Sequence, residues 1–394
     1  MSIWGPEPRA HPRSLALPAP RGPIGERLFA ALRREPEVGV RLASVDLPRS
    51  PLFDDDFQLA LYVLYELHYA RVAGVDERWE WNADLLAARV VLEETFERAI
   101  AEAAGEPEQC GPEEVAEQLQ RLVAKDSGPP LSRYLETQGT IAEMVEHVIH
   151  RSAYQLKEAD PHSWAIPRLS GAAKAALLEI QFDEYGEGRA ERMHSSIFAA
   201  TMAALGLDPG YGAYVPALPG ITLATVNLMS FFGLHRRRRG ALVGHLAAFE
   251  MTSSLPNRRY GNAWRRLGFG REVTAFYDEH VEADAVHESI AAWDLAGGLA
   301  RAEPELVRDI QVGARALLGL EALWAGHLLA CWQRGASSLL DEATAAPHTN
   351  WSASRATSPN RPDSAAAARW RSAPLRSTSR RAASSAPAAP TRSA

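Results

Sequence analysis

The sequence predicts an all-α protein, on three observations. Apolar residues recur at helical spacing through most of the first 340 residues, as in the segments 57–69 and 85–104. Convincing strand alternation and hairpin signals are absent. With 394 residues, 46% of them hydrophobic, the chain is long enough for a large core and too apolar to be disordered throughout.

Proline, glycine and composition divide the chain into parts. We expect a Pro-rich disordered arm over residues 1–24, a helical extension over 25–125 and a break at 126–130. A second helical domain is predicted over 132–340. The segment 343–394, rich in Ala, Ser, Pro and Arg, is predicted to be a disordered tail because it has too few large apolar side chains to offset the entropy of ordering.

The net charge of −7 is the sum of two unlike parts. Residues 351–394 carry eight Arg and one Asp, a net +7, so the first 350 residues carry −14. A basic tail can contact nucleic acid or anionic lipid. We favour a passive extension and expect no nucleic-acid partner.

Neither a membrane span nor a signal peptide is expected. The N-terminus has no apolar run of the kind that a signal peptide needs. Residues 209–234 lack charge, but Pro219 limits a helix to 221–234, and a span needs about 20 residues. We therefore expect a buried core helix there. Since the chain has only two cysteines, a reducing cytoplasm is favoured.

One segment places two imidazoles and a carboxylate at helical spacing. His280, Asp284 and His287 stand at i, i+4 and i+7, within an arc of about 60° on one helical face. Such a set suits a first-row metal such as iron or manganese. The alternative is a solvated acidic face, because several other carboxylates crowd the same helix.

A second set of candidates lies upstream, around His194. Glu191 and His194 form an E-x-x-H pair, and Asp284 and His287 form a D-x-x-H pair. Two such pairs on separate helices are the arrangement of ferritin-like di-iron proteins. In a straight helix Glu184 would lie about 15 Å from His194. Gly186 separates the two and predicts a break that would let Glu184 approach. From the residues alone Glu184, Glu187 and Glu191 all remain candidates.

Two more carboxylates are candidate ligands. Glu158 precedes Pro161, and Glu250 lies in an apolar stretch where an unpaired carboxylate would be costly to bury. For Glu250 the alternative is a salt bridge to a nearby arginine.

Four segments of the second block together resemble a known family. They are 157–164, 183–194, 249–260 and 277–287. In these motifs the chain resembles the iron-containing redox enzymes, which belong to the haem-oxygenase-like di-iron oxidases and oxygenases. The resemblance covers about residues 132–340.

The resemblance implies a haem-oxygenase-like up-and-down helical bundle that binds two Fe(II)/Fe(III) ions and uses O2 as co-substrate. A manganese–iron pair is the open alternative. Carried over residue by residue, the implied metal ligands are Glu158, Glu184, His194, Glu250, His280, Asp284 and His287.

The resemblance also implies an O2-dependent oxidoreductase that acts on a small amine or carboxylate metabolite. N-oxygenation is favoured, because N-oxygenating members have an extra carboxylate at the position of Glu184. An electron donor or reductase is expected as a partner, a homodimer is open, and the helix at 221–234 is expected to line the substrate pocket. The alternative function is a non-catalytic helical protein that binds metal or a partner.

Overall fold

The structure is a computed structural model that describes residues 13–36 and 46–340, except for the side chains of residues 284 and 285. The predicted tail at 343–394 and the first half of the predicted N-terminal arm lie outside the described residues.

Helices make up most of the described part of the chain, which confirms the all-α prediction. In chain order they are α1 (Pro23–Leu32), α2 (Asp55–Glu66), α3 (Ala83–Ala104), α4 (Val115–Ala124), α5 (Leu131–Thr137), α6 (Ile141–Gln155), α7 (Asp160–Ser163), α8 (Gly171–Glu184), α9 (His194–Ala204), α10 (Gly220–Leu234), α11 (Arg239–Arg266), α12 (Arg271–Ser289), α13 (Gly297–Ala302) and α14 (Val307–Gln333). A π-helical segment, Ile290–Ala296, joins α12 to α13. Two short strands, β1 (Ser14–Ala16) and β2 (Arg71–Ala73), pair in parallel.

The prediction of a disordered arm over residues 1–24 is wrong for residues 13–24. Leu15 lies opposite Val72 in the strand pair and is buried. The guanidinium of Arg21 donates to three main-chain carbonyls of a distant turn. Buried apolar side chains such as Leu15 and Ile24, together with Arg21, anchor this segment, and composition does not reveal such contacts.

The helices before and after the break at 126–130 share one hydrophobic core. Helix α2 packs against α10, and α3 packs against α14. Buried residues of both blocks belong to a single cluster. Among the described residues the predicted extension is therefore part of the same compact unit as the second block.

Helix α10 matches the apolar segment that the sequence singled out. Its side chains are buried along nearly the whole length, and Asn227 within it donates to the carbonyl oxygen of Gln58 on α2. Among the described residues, no helix combines the length and apolarity needed to cross a membrane.

Glycines let α11 and α14 cross at very short range. A Cβ atom at Gly244 would lie 1.8 Å from the carbonyl oxygen of Ile310, and one at Gly313 would lie 1.9 Å from that of Ala241. No side chain fits in either place. This crossing sets the position of α11, which carries Glu250.

A buried ion pair joins the two helical blocks. The ammonium group of Lys157, in the turn after α6, binds the carboxylate of Glu66 at the end of α2, and the two side chains are 1% and 0% exposed. Tyr211 donates to the other carboxylate oxygen of Glu66, and the ring of Tyr69 lies 4.3 Å from the ammonium nitrogen. Lys157 directly precedes the candidate ligand Glu158.

Removal of one partner should therefore be costly. Glu66→Leu leaves a buried ammonium without its counter-charge, so we expect the free energy of unfolding to fall by about 3–5 kcal/mol in urea denaturation. Lys157→Met in the same chain should restore most of the loss. The control Glu106→Leu removes an ion pair between side chains that are 68% and 87% exposed, and should change stability by less than about 1 kcal/mol. Equal losses of stability in Glu66→Leu and Glu106→Leu would contradict the stabilising role of the buried ion pair.

Candidate metal centre

Six of the seven predicted ligands come together in two neighbouring groups. Glu158, His194 and His280 form the first group, and Glu184, Glu250 and His287 form the second. Within each group the candidate ligand atoms all lie within 4.8 Å of one another, and all six residues are buried.

Five parts of the fold supply these residues. Glu158 lies in the turn after α6, Glu184 is the last residue of α8, and His194 is the first residue of α9. Glu250 lies on α11, and both His280 and His287 lie on α12. The site is therefore built where α8, α9, α11 and α12 meet.

In the first group, the hydrogen bond of His280 defines which ring nitrogen faces the site. Its Nδ1 donates to the carbonyl oxygen of Phe276 at 2.8 Å. In a neutral imidazole, Nε2 then carries a lone pair, and it lies 3.1 Å from Oε1 of Glu158. Two acceptors at this distance need a proton or a metal cation between them. The hydroxyl of Tyr154 donates to the same carboxylate oxygen, and burial raises the pKa of this phenol.

The break that the glycines predict brings Glu184 to His194. Between α8 and α9 the chain turns through Gly186, Glu187 and Gly188, which have φ values of 65°, 54° and 79°. Oε2 of Glu184 then lies 3.0 Å from Nδ1 of His194, without the geometry of a hydrogen bond.

The two other carboxylates that the sequence left open for His194 lie elsewhere. Glu187 is exposed and pairs with Arg192, and Glu191 is exposed as well. The structure thus places Glu184 beside His194 and leaves Glu187 and Glu191 at the surface.

In the second group, His287 faces two carboxylates. Its Nδ1 lies 3.5 Å from Oε2 of Glu250 and 4.0 Å from Oε1 of Glu184. Its Nε2 lies 3.0 Å from Oδ2 of Asp183. Glu184 therefore points one oxygen toward each group. The structure places the imidazole of His287 beside Glu250, whereas the sequence alternative was a salt bridge to an arginine.

Asp284, the seventh predicted ligand, has its backbone in α12, four residues after His280. Its side chain is outside the described set, so its role as a ligand stays a prediction.

The electrostatics of the cluster couple its carboxylates and imidazoles. Burial alone would raise the pKa of Glu184, but attraction to His194, His280 and His287 outweighs it and lowers the pKa to about 2. Burial alone would lower the pKa of His287, but Glu250, then Asp183 and Glu184, raise it to about 9. The pKa of His194 is raised by Glu184, again against burial. The neighbouring carboxylates thus favour the protonated form of His194 and of His287 in the metal-free protein.

The residues present fit a metal ion. Oε2 of Glu184, Nδ1 of His194 and Nδ1 of His287 are buried and make no hydrogen bond. Buried polar atoms without a partner are uncommon and call for an explanation such as an ion. The donor set of imidazole nitrogens and carboxylate oxygens suits iron or manganese.

A small cavity of about 10 Å³ adjoins the cluster. Its wall includes Tyr154, His162, Gln181 and Phe249 in addition to four of the candidate ligands. Helix α10, which the sequence predicted to line the substrate pocket, contributes no residue to the wall of this cavity. Instead α10 packs between α2 and α14, because both of its sides are apolar.

Sequence reasoning missed two residues at this site. His162 is buried in the cavity wall, with its Nε2 3.1 Å from Nδ1 of His245. Asp183 is the first residue of the family-like segment 183–194, and the sequence assigns it no role of its own. The one feature of the sequence that pointed to a role at the site was its position directly before Glu184, on the last turn of a helix.

A known protein family matches the region of the chain that contains the candidate metal centre. Residues 145–322 match the family model described as iron-containing redox enzyme, and this span includes all seven predicted ligands. The match confirms the family resemblance over that region and the haem-oxygenase-like character of the bundle. It supports an oxidoreductase that contains iron.

A curated relative is the nitrosourea synthase of Streptomyces achromogenes subsp. streptozoticus. It is 28% identical over 164 residues, which are 40% of this chain and 34% of the relative. The chain thus matches about a third of the length of that protein.

Gly186→Ala should disturb the loop that joins the two groups. A Cβ at Gly186 would lie 2.5 Å from the main chain at residues 192 and 193, whereas one at Gly188 would meet nothing within 4 Å, and both glycines have positive φ. We expect Gly186→Ala to cost about 1–3 kcal/mol more than Gly188→Ala in urea denaturation, and to weaken Co(II) binding more. Equal effects of the two variants would contradict this role of Gly186.

The stability of the metal-free protein should depend on pH through His287. A pKa raised from 6.5 to about 9 means that the folded state holds this proton more tightly than the unfolded chain does. The resulting stability is fully present below 6.5 and is lost as pH rises through about 9. Urea denaturation across this range should show the decline, and His287→Gln should flatten it. An unaltered slope in His287→Gln would refute the assignment, and His327→Gln is the control.

Proposed function

We propose that this chain is an O2-dependent, non-haem di-iron oxidoreductase that acts on a small amine or carboxylate metabolite, with N-oxygenation favoured. The observation that carries the proposal is the position of Glu184 between the two groups. One of its oxygens lies 3.0 Å from His194 and the other lies 4.0 Å from His287. A carboxylate so placed can bridge two metal ions, as in other di-iron helical bundles.

The ligands of the two ions would divide between the groups. Glu158, His194 and His280 would hold one ion, Glu250 and His287 would hold the other, and Glu184 would contact both. Bound in this way, two Fe(II) ions would supply electrons for the reduction of O2.

The remaining residues of the site have supporting roles. The hydrogen bonds from Tyr154 to Glu158 and from His280 to Phe276 orient two of the ligands. Because all six ligand side chains are buried, they would keep bulk water from bound metals, and electrostatic interactions there would be stronger. The cavity wall beside Glu158 and Glu250 is where a substrate group would meet the metals.

The choice of N-oxygenation rests on two supports. One is the carboxylate at Glu184, which is associated with N-oxygenating members of the family. The other is the similarity to a nitrosourea synthase over 164 residues. Incorporation of one oxygen atom into an amine reduces the second atom to water and consumes two further electrons, so we also propose an external electron donor. Cys110 and Cys331 are free, in keeping with a reducing cytoplasm.

Metal stoichiometry tests the proposal first. Anaerobic titration of the metal-free protein with Fe(II) should reach about two ions per chain, and admission of air should then change the absorbance spectrum. Glu184→Gln should reduce the stoichiometry and abolish the change. Its matched control is Glu191→Gln, which alters the exposed rival carboxylate three residues before His194 and should behave as wild type.

Three outcomes would reject the proposal. If wild type binds no iron, or if Glu191→Gln is impaired and Glu184→Gln is not, the assigned centre is wrong. If iron binds but air has no effect with or without candidate amines, the non-catalytic metal-binding alternative is favoured.

Electron demand gives a further test. With Fe(II)-loaded protein and a candidate amine, oxygen exposure without reductant should yield at most about one product per pair of irons. Addition of a chemical reductant such as ascorbate should permit repeated turnover, measured by mass spectrometry of the oxygenated amine. Multiple turnovers without any reductant would exclude the proposed need for an electron donor.

A further inference from the structure

We propose that Asp183, a carboxylate outside the predicted ligand set, is a positioning residue that selects the ring nitrogen through which His287 binds metal. The inference rests on the proposed metal centre and extends it to the layer of residues behind the ligands.

The geometry of His287 separates its two nitrogens. Nε2 lies 3.0 Å from Oδ2 of Asp183 with hydrogen-bond geometry. Nδ1 lies on the inner side, facing Glu250 and Glu184, and makes no hydrogen bond. An ionised carboxylate only accepts hydrogen bonds, so Nε2 must carry a hydrogen atom. In the neutral ring, the lone pair is then on Nδ1, which faces the other two ligands of its group.

Asp183 and Glu184 can have different roles because they are neighbours on one helix. Successive residues of an α-helix point about 100° apart. Asp183 therefore contacts the outer nitrogen of His287, while Glu184 approaches the inner one. The accessibility differs accordingly, since the side chain of Asp183 is 45% exposed and that of Glu184 is 8% exposed.

The two histidines of α12 are held in different ways. His280 donates from Nδ1 to the main-chain carbonyl of Phe276 and presents Nε2 to Glu158. His287 uses the opposite nitrogens and depends on a side chain at the surface. Hydrogen bonds of this kind fix the orientation of a ligating imidazole and raise its basicity, and their loss typically costs about 10–100-fold in metal affinity. The second group should therefore be sensitive to substitution of Asp183, and the first should not.

Titration with Co(II) tests this without any reaction with oxygen. Wild type should bind two ions. Asp183→Ala should bind one ion with unchanged affinity and the second about 10–100-fold more weakly, with altered d–d absorbance of the second ion. Asp183→Asn keeps an oxygen that can accept from Nε2 and should recover most of the affinity.

Asp278→Ala is the matched control. Asp278 lies on α12, is 43% exposed and pairs with Arg265, so its loss removes a comparable surface carboxylate without touching a candidate ligand. It should bind two Co(II) ions as wild type does. Wild-type affinity in Asp183→Ala, equal weakening of both ions, or an Asn variant as impaired as the Ala variant would each overturn the proposal.

A spectroscopic readout on the unaltered chain covers the case in which Asp183→Ala fails to fold. In Zn(II)-loaded protein labelled with ¹⁵N-histidine, the signal that disappears in His287→Gln should show hydrogen on Nε2 and metal on Nδ1. The reverse assignment would overturn the proposal. Failure of wild type to bind Co(II) or Zn(II) would instead reject the metal centre itself, so the two failures are distinguishable.

Discussion

The structure depends on the burial of several ionisable side chains together at the candidate metal centre. Three carboxylates and three imidazoles lie buried together where four helices meet. Isolated charges are very costly in such an interior, so each must face a group of opposite charge or a metal ion. Glu184 meets this requirement twice, with one oxygen near His194 and the other nearer His287. The packing of α8, α9, α11 and α12 must therefore bring these groups within a few ångströms of one another.

Structural supports on two sides hold this cluster. On one side the Lys157–Glu66 ion pair, wholly buried, ties the turn that carries Glu158 to α2 of the N-terminal block. On the other, Asp183 contacts His287 from the surface. The close crossing of α11 and α14 sets the place of Glu250. The N-terminal block is thus joined to the residues around the site, although none of its described residues is among the candidate ligands.

Local patterns were enough to predict the helices and much of the candidate site. Helical spacing placed His280 and His287 on one face, and Gly186 predicted the break before His194, because glycine readily takes the positive φ found there. The family motifs then selected Glu184 over its rivals. His162 and Asp183 were missed, since their importance lies in contacts with His245 and His287, far away in the sequence.

By itself the sequence determined the all-α class, the chemistry of the metal-binding side chains and their order along the chain, because these depend on residue type and short-range spacing. Only the tertiary structure decided which carboxylate meets which imidazole, where α10 packs, and that residues 13–24 lie against the protein. Those features depend on contacts between residues remote in sequence. A charge or an apolar side chain specifies that it needs a partner, but the packing of whole helices determines which partner comes within reach.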